Sequence, residues 1–262
     1  MLPTSVSYRL ISQDLQLSLS RVAEQPVAAR EVEHFKANIF NVKSIDDFMA
    51  DDRIYRFAMR AFGLDDMSYA KGMMRKILEQ GTDDPQSLAN SLVDPRYREF
   101  ASAFNFVRYG TSTTSFNDAS SGVVDKYLQQ TLEINAAETD EGVRLALYFQ
   151  RKAPEIQNAY QLLADRALLA VVQTALGIPA ESSATSIEKQ AAEIEKRLDL
   201  EDLQSPEKLG EFLQRFTTLW ELNQPAATSS VLPGIAGFGA QPGTVSIGIG
   251  TLMSIQSVRL KG

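Results

Sequence analysis

The chain has 262 residues, of which 44% are apolar, a formal net charge of -7 and no cysteine. That length and apolar share are enough for one large or two small globular cores, and the missing cysteine excludes disulfides, thiol catalysis and thiolate zinc sites. The acidic excess lies in the middle, where residues 27–222 carry 22 basic against 31 acidic groups; a body of that charge with no basic stripe repels phosphate backbones, so no nucleic-acid partner is expected.

At the N-terminus no basic region leads into an apolar run, and Gln13, Asp14 and Gln16 interrupt the apolar content, so no Sec signal peptide is expected. Residues 5–25 predict one amphipathic helix, with Tyr8, Ile11, Leu15 and Val22 at heptad-like spacing, Leu19 on the neighbouring row, and an end before Pro26. A lone leading helix needs a partner. Either it folds back on its own domain, or these side chains contact other subunits. A second helix over about 27–40 uses Val27, Val32, Phe35 and Ile39.

From Ser44 to Phe106 helix starts and stops follow closely. Ser44 and Asp47 have capping-box spacing, and Asp52 opens a helix that buries Tyr55, Ala58, Met59 and Phe62 until Gly63 stops it. Asp65 and Asp66 are read as caps of a helix carrying Met67, Tyr69, Ala70, Met73, Met74, Ile77 and Leu78, closed by Gly81. Asp84-Pro85 and Asp94-Pro95 each place an acceptor before a first-turn proline. The Thr, Ser and Asn run over 111–121, uncharged until Asp118, reads as a polar loop and hinge. A long helix from Ser121 then loosens around 135–142 and resumes through Phe149. Pro154 opens the most apolar helix, which runs to Gly177; Ser186 and Ser205-Pro206 begin the last two.

The uncharged segment from Asn223 to Val258 holds Pro225, Pro233, Pro242 and six glycines, which argues against a membrane-spanning helix. Val245, Ile247 and Ile249 alternate as in a strand; Leu252, Ile255 and Val258 have helical spacing and, with Tyr8, Ile11, Leu15 and Val22, are the candidate partner contacts. The fold class expected is therefore an all-α multi-helix bundle. Its domains are an N-terminal amphipathic segment over 1–26, a helical domain over 27–222, and a linker with an apolar tail over 223–262. The helical domain suggests two loosely repeated halves, 44–106 and 155–222, because Asp52-Arg53 to Gly63-Leu64 resembles Asp165-Arg166 to Gly177-Ile178, and Pro95, Phe100, Phe104 resemble Pro206, Phe212, Phe216.

Candidate chemistry reduces to helix chemistry. The Asp pairs at 46/47, 51/52, 65/66 and 83/84 stand at helix starts, where carboxylates cap amides and meet the positive end of the dipole. Their spacing is not that of a calcium loop. The single histidine, His34, makes neither a zinc site nor a triad. No catalytic residue, cofactor or metal is therefore expected.

The segments Lys43 to Phe48, Phe57 to Met67, Tyr69 to Lys71 and Asp94 to Phe106 resemble a family of conserved-domain proteins encoded among flagellar genes of alphaproteobacteria. The likeness covers most of residues 1–222. It supplies no catalytic residue and implies a non-enzymatic role in flagellar assembly or structure, with flagellar proteins or further copies of the chain as partners and a flagellum-associated or cytoplasmic location; the amphipathic, largely uncharged terminal segments are expected to make the contacts. The alternative it leaves open is a cytoplasmic export chaperone or regulator that binds a partner helix. The helical middle departs from flagellar rod and hook subunits, whose middle regions are β-rich.

Overall fold

Short polar side chains punctuate this chain, and they decide where each helix begins. The computed structural model of the protein describes residues 2–223, in which fifteen α-helices are joined by short turns, several of them 3-10, and no strand is found. The all-α class read from the periodicity holds. In order the helices are α1 (Thr4–Gln13), α2 (Leu15–Ala23), α3 (Pro26–Asn38), α4 (Ile45–Ala50), α5 (Asp52–Ala61), α6 (Lys71–Gln80), α7 (Leu88–Ser91), α8 (Pro95–Ala103), α9 (Phe106–Tyr109), α10 (Ser121–Ala137), α11 (Glu141–Lys152), α12 (Ala159–Ala164), α13 (Arg166–Leu176), α14 (Ile187–Arg197) and α15 (Pro206–Asn223).

Several boundaries differ from those expected, and side-chain caps explain most of them. The leading helix is two helices, because Asp14 leaves the helical region (φ -136°, ψ 76°) and its carboxylate accepts the Leu17 amide at 2.9 Å. The apolar helix after Pro154 is likewise two, since Asp165 accepts the amides of Ala167 and Leu168 at 2.8 and 3.1 Å and restarts the chain as α13. Asp65 and Asp66 sit in a 3-10 turn, and α6 starts only at Lys71. After Asp84-Pro85 no helix begins until Leu88. The polar run over 111–121 is no free hinge: Thr113 and Thr114 are fully buried, and the Thr114 hydroxyl donates to the Val42 carbonyl at 3.0 Å.

Residues 1–26 are not a separate segment. The break at Asp14 sends α1 against α11 and α15, while α2 lies along α10 and α3. The Thr4 hydroxyl donates to Asp140 at 2.6 Å and the Tyr8 hydroxyl to Gln150 at 3.1 Å. These contacts place α1 in the same compact unit as the rest of the described chain.

Capping also sets the register of an internal repeat. Asp51, not Asp52, caps α5, accepting the Arg53 and Ile54 amides at 3.0 Å each. Its counterpart Asp165 therefore lies 114 positions later (165 minus 51), and so does Gly177 after Gly63 (177 minus 63). Pairing Asp52 with Asp165 would put the two helix starts 113 positions apart and the two glycines 114 apart; with Asp51 as the cap that difference disappears. Both glycines have positive φ, 67° and 63°, and both helices close with the same i to i-5 bond, Leu64 to Met59 and Ile178 to Gln173, each 2.8 Å. The caps Ser44 and Asn158, the six-residue helices α4 and α12, and the ends of α2 and α10 at Ala23 and Ala137 keep the same offset. So do the core residues: Phe35 and Phe149, Val42 and Ile156, Phe48 and Leu162, Ala58 and Val172, and Ala61 and Ala175 are all buried.

The repeated halves thus run over about 15–64 and 129–178, with α6 and α14 following them, in place of 44–106 and 155–222. The packing partner changes too. α10, the first helix of the second repeat, covers α3 and α5, with Tyr127 stacked on Phe57 at 4.0 Å and Phe57 on Phe35 at 4.4 Å. α15 covers α11 and α13 in the same way, with Phe212 against Phe149 at 5.3 Å. α15 is therefore the counterpart of α10, not of α8, and its outer residues Glu211, Gln214, Arg215 and Thr218 are exposed and polar, as a terminal cap of stacked helical units requires. α7 to α9 are an insertion after the first repeat; Phe100, Phe104 and Phe106 pack around Phe48 at 6.1, 4.7 and 6.2 Å.

Candidate functional site

A polar cleft of about 440 Å³ opens where the two repeats meet. Its walls are the end of α5 at Gly63, the start of α8, one face of α10, and the starts of α13 and the exposed face of α11. Spacing on α11 puts Arg144, Tyr148, Arg151 and Lys152 on one helical face, and α10 contributes Lys126 and Gln130.

Charge in the cleft is largely compensated within the protein. Arg96 clamps Asp94 through Nε and Nη2 at 3.0 and 2.7 Å, and a third nitrogen donates to the Gly63 carbonyl. Burial raises the Asp94 pKa, but the hydrogen bonds and charge of Arg96 outweigh it and hold the carboxyl below the usual range. Arg151 makes two bonds to Glu133, 2.8 and 2.9 Å, and Lys152 reaches Glu99 at 2.7 Å. Arg144 pairs with Glu141, and Lys126 lies 5.5 Å above the Phe62 ring.

The most enzyme-like contact is Tyr148, whose hydroxyl donates to Asp165 at 2.5 Å. Burial, then the carboxylate, pushes the phenol pKa upward, so the hydroxyl keeps its proton. The other oxygen of Asp165 is the α13 cap, so both are engaged. The first repeat makes a similar contact with different chemistry: His34, 114 positions before Tyr148, places Nε2 3.5 Å from Asp51. What recurs is an aromatic polar residue from the preceding long helix against the capping aspartate. The geometry of the cleft is that of a brace between repeats, with most of its acids and bases engaged by one another. Among the described residues no group of three or more His, Asp or Glu is placed to hold a metal ion.

Of the candidate contact residues, Tyr8 and Val22 are buried at 7% and 3% exposure, and Ile11 and Leu15 are half-buried against the same core. The structure brings them together in the chain's own interior. Leu252, Ile255 and Val258, with the strand-like Val245 to Ile249, lie outside the described residues. The apolar residues that α1 and α2 do turn outward are Leu10 and Leu17, 58% and 46% exposed. Spacing found the apolar face of the segment but not what it packs against, since α10, α11 and α15 are distant in sequence.

Tyr8 gives the docking of α1 a pH dependence. Burial pushes its phenol up to about 12 from an ordinary 10.0, against a smaller lowering by the Ser12 hydroxyl. Because the folded pKa is raised, the stabilisation is complete below pH 10 and is lost as pH rises through about 12. Alkaline titration of phenolate absorbance is expected to show the Tyr8 signal appearing only near pH 12, together with loss of helicity. In Tyr8→Phe the absorbance change near pH 12 is expected to fall by one phenol, Tyr55 being raised by burial to about the same value, and α1 remains docked to a higher pH.

No curated protein matches the chain. An X-ray crystal structure of a protein from Agrobacterium tumefaciens is similar over 85% of this chain and 94% of that one, with 49% identity and a TM-score of 0.78. Among the described residues no helix is long and apolar enough to cross a membrane. The family described as "protein of unknown function (DUF1217)" matches residues 61–209, from the end of α5 through the second repeat to the start of α15, and to that family this chain belongs.

Proposed function

We propose that this chain is a non-enzymatic, flagellum-associated protein of alphaproteobacteria that acts in flagellar assembly or structure by binding other proteins or further copies of itself. The observation that carries the reading is the likeness of the segments Lys43 to Phe48, Phe57 to Met67 and Asp94 to Phe106 to proteins encoded among flagellar genes. Support for an interaction role comes from the N-terminal pair of helices, where Leu10 and Leu17 are exposed although the other large apolar residues of α1 and α2 are buried or half-buried. Each leucine offers an apolar side chain to a partner, and an aspartate at each position removes it without touching a buried residue.

The double variant Leu10→Asp, Leu17→Asp is expected to keep the stability of the parent to within about 0.5 kcal/mol, as surface changes do, and to abolish motility when it replaces the chromosomal copy. A fully motile strain making the folded variant at normal level would count against these leucines as the contact. Motility surviving deletion of the whole gene would count against the flagellar reading itself. The second reading, a cytoplasmic export chaperone or regulator, is favoured by an apolar-floored groove on the second repeat.

A further inference from the structure

That groove, of about 270 Å³, lies between α12, α13 and α14, and the internal repeat indicates what chemistry fills it. Four positions at the common offset form its floor: Leu163, Leu169, Gln173 and Ile178 correspond to Met49, Tyr55, Met59 and Leu64. In the first repeat these four are buried, with Tyr55, Met59 and Leu64 at 0% exposure. In the second repeat Leu163, Leu169 and Gln173 are only half-buried. The physical cause is a loss of volume, because a tyrosine ring has become leucine and a methionine has become glutamine. In addition, α14 follows Gly177 after nine intervening residues (178–186) where α6 follows Gly63 after seven (64–70). The second repeat therefore lacks an aromatic ring that the first supplies from its own α5.

We propose that this groove seats a tyrosine side chain presented by a partner polypeptide. Its volume falls below the roughly 300–1,000 Å³ of pockets for drug-sized molecules, which suits a single inserted side chain. Leu163, Leu169, Ile178 and Ile194 provide apolar walls for the ring, and Ser182 and Thr185 offer hydroxyls to the phenol. The rim carries an amine, Lys189, as the first repeat brings Lys71 over the Tyr55 ring at 5.3 Å. A carboxylate next to the tyrosine of the partner meets that amine. The inference rests on the reading of the chain as a protein-interaction module.

The test uses p-cresol, the side-chain analogue of tyrosine, titrated into the full chain while methyl chemical shifts are followed. The expected result is saturable shifts confined to Leu163, Leu169, Ile178 and Ile194. Leu169→Tyr, which restores the ring of the first repeat, is expected to weaken binding at least about tenfold with the fold intact. Gln173→Met, which reproduces Met59, is the second variant should the first not fold. Absence of shifts, or equal binding in the folded variants, would overturn the site. A photo-crosslinker placed at Lys189 in cells is then expected to label a different polypeptide in the parent and none in Leu169→Tyr. Labelling of this chain itself, within one molecule or between two, would overturn the partner, as would no labelling. Loss of motility on gene deletion is read separately, so failure of the groove and failure of the flagellar reading are distinguishable.

Discussion

Replacing Arg151 by alanine is expected to destabilise the protein by about 3–5 kcal/mol, the range for stripping one partner from a buried ion pair. Glu133 is the reason. Its side chain is 2% accessible and its two oxygens are held by Nε and Nη2 of Arg151 at 2.8 and 2.9 Å. Without the guanidinium, a carboxylate on α10 faces α11 with only the weak 3.4 Å contact of Gln129. The first repeat meets the same positions with Leu19 and Ala37 and has no charge there. Glu133→Leu with Arg151→Ala therefore copies a solution the chain already uses, and the double variant is expected to recover to within about 1 kcal/mol of the parent. Urea denaturation of the four proteins of this cycle measures both numbers, and a double variant as unstable as the single would refute the assignment.

The second large effect is expected at Gly142. A methyl built there would lie 2.3 Å from Cδ1 and 2.5 Å from Nε1 of Trp220, and 2.8 Å from Thr4. Both α15 and the start of α1 would have to move. Overpacking of this kind costs about 1–3 kcal/mol. Ala28, the equivalent residue of the first repeat, is 2% exposed and carries that methyl without difficulty. Gly142→Ala is expected to lower stability and shift the emission of Trp220, the one tryptophan in the chain. Adding Trp220→Phe is expected to return part of the loss; no return would mean that the indole is not what the methyl meets.

Cap chemistry is local, and that is why much of this architecture is legible in the residues. Ser44, Asp94-Pro95 and the Gly63 and Gly177 stops need only their neighbours to act, and each stands at or next to a boundary. Asp14 and Asp165 interrupt helices whose apolar spacing continues across them, so periodicity argued for one helix where a capping carboxylate made two. The Asp51-Asp52 pair hid the register of the repeat, since either carboxylate could have been the cap. Pairing Phe100 and Phe104 with Phe212 and Phe216 compared like motifs instead of like positions; only packing shows that α15 does for α11 and α13 what α10 does for α3 and α5. The polar cleft draws on five stretches between Ala61 and Ala167. Of these, only the α11 face, Arg144, Tyr148, Arg151 and Lys152, could have been read in advance.

The repeat also bears on function. At the common offset the Tyr148 and Asp165 contact is the counterpart of His34 and Asp51, a recurring link between a long helix and a capping aspartate. What the two halves do not share is then the better guide to partners: the aromatic insertion of the first, the open groove of the second, and the outward leucines of α1 and α2.

Quantitative mass spectrometry of purified hook-basal bodies beside the cytosol of the same cells tests the proposed association with the flagellum. The protein is expected at fixed stoichiometry in the purified structure. Its presence in the cytosol alone would contradict a structural role and leave the groove, with a chaperone or regulator, as the reading to pursue.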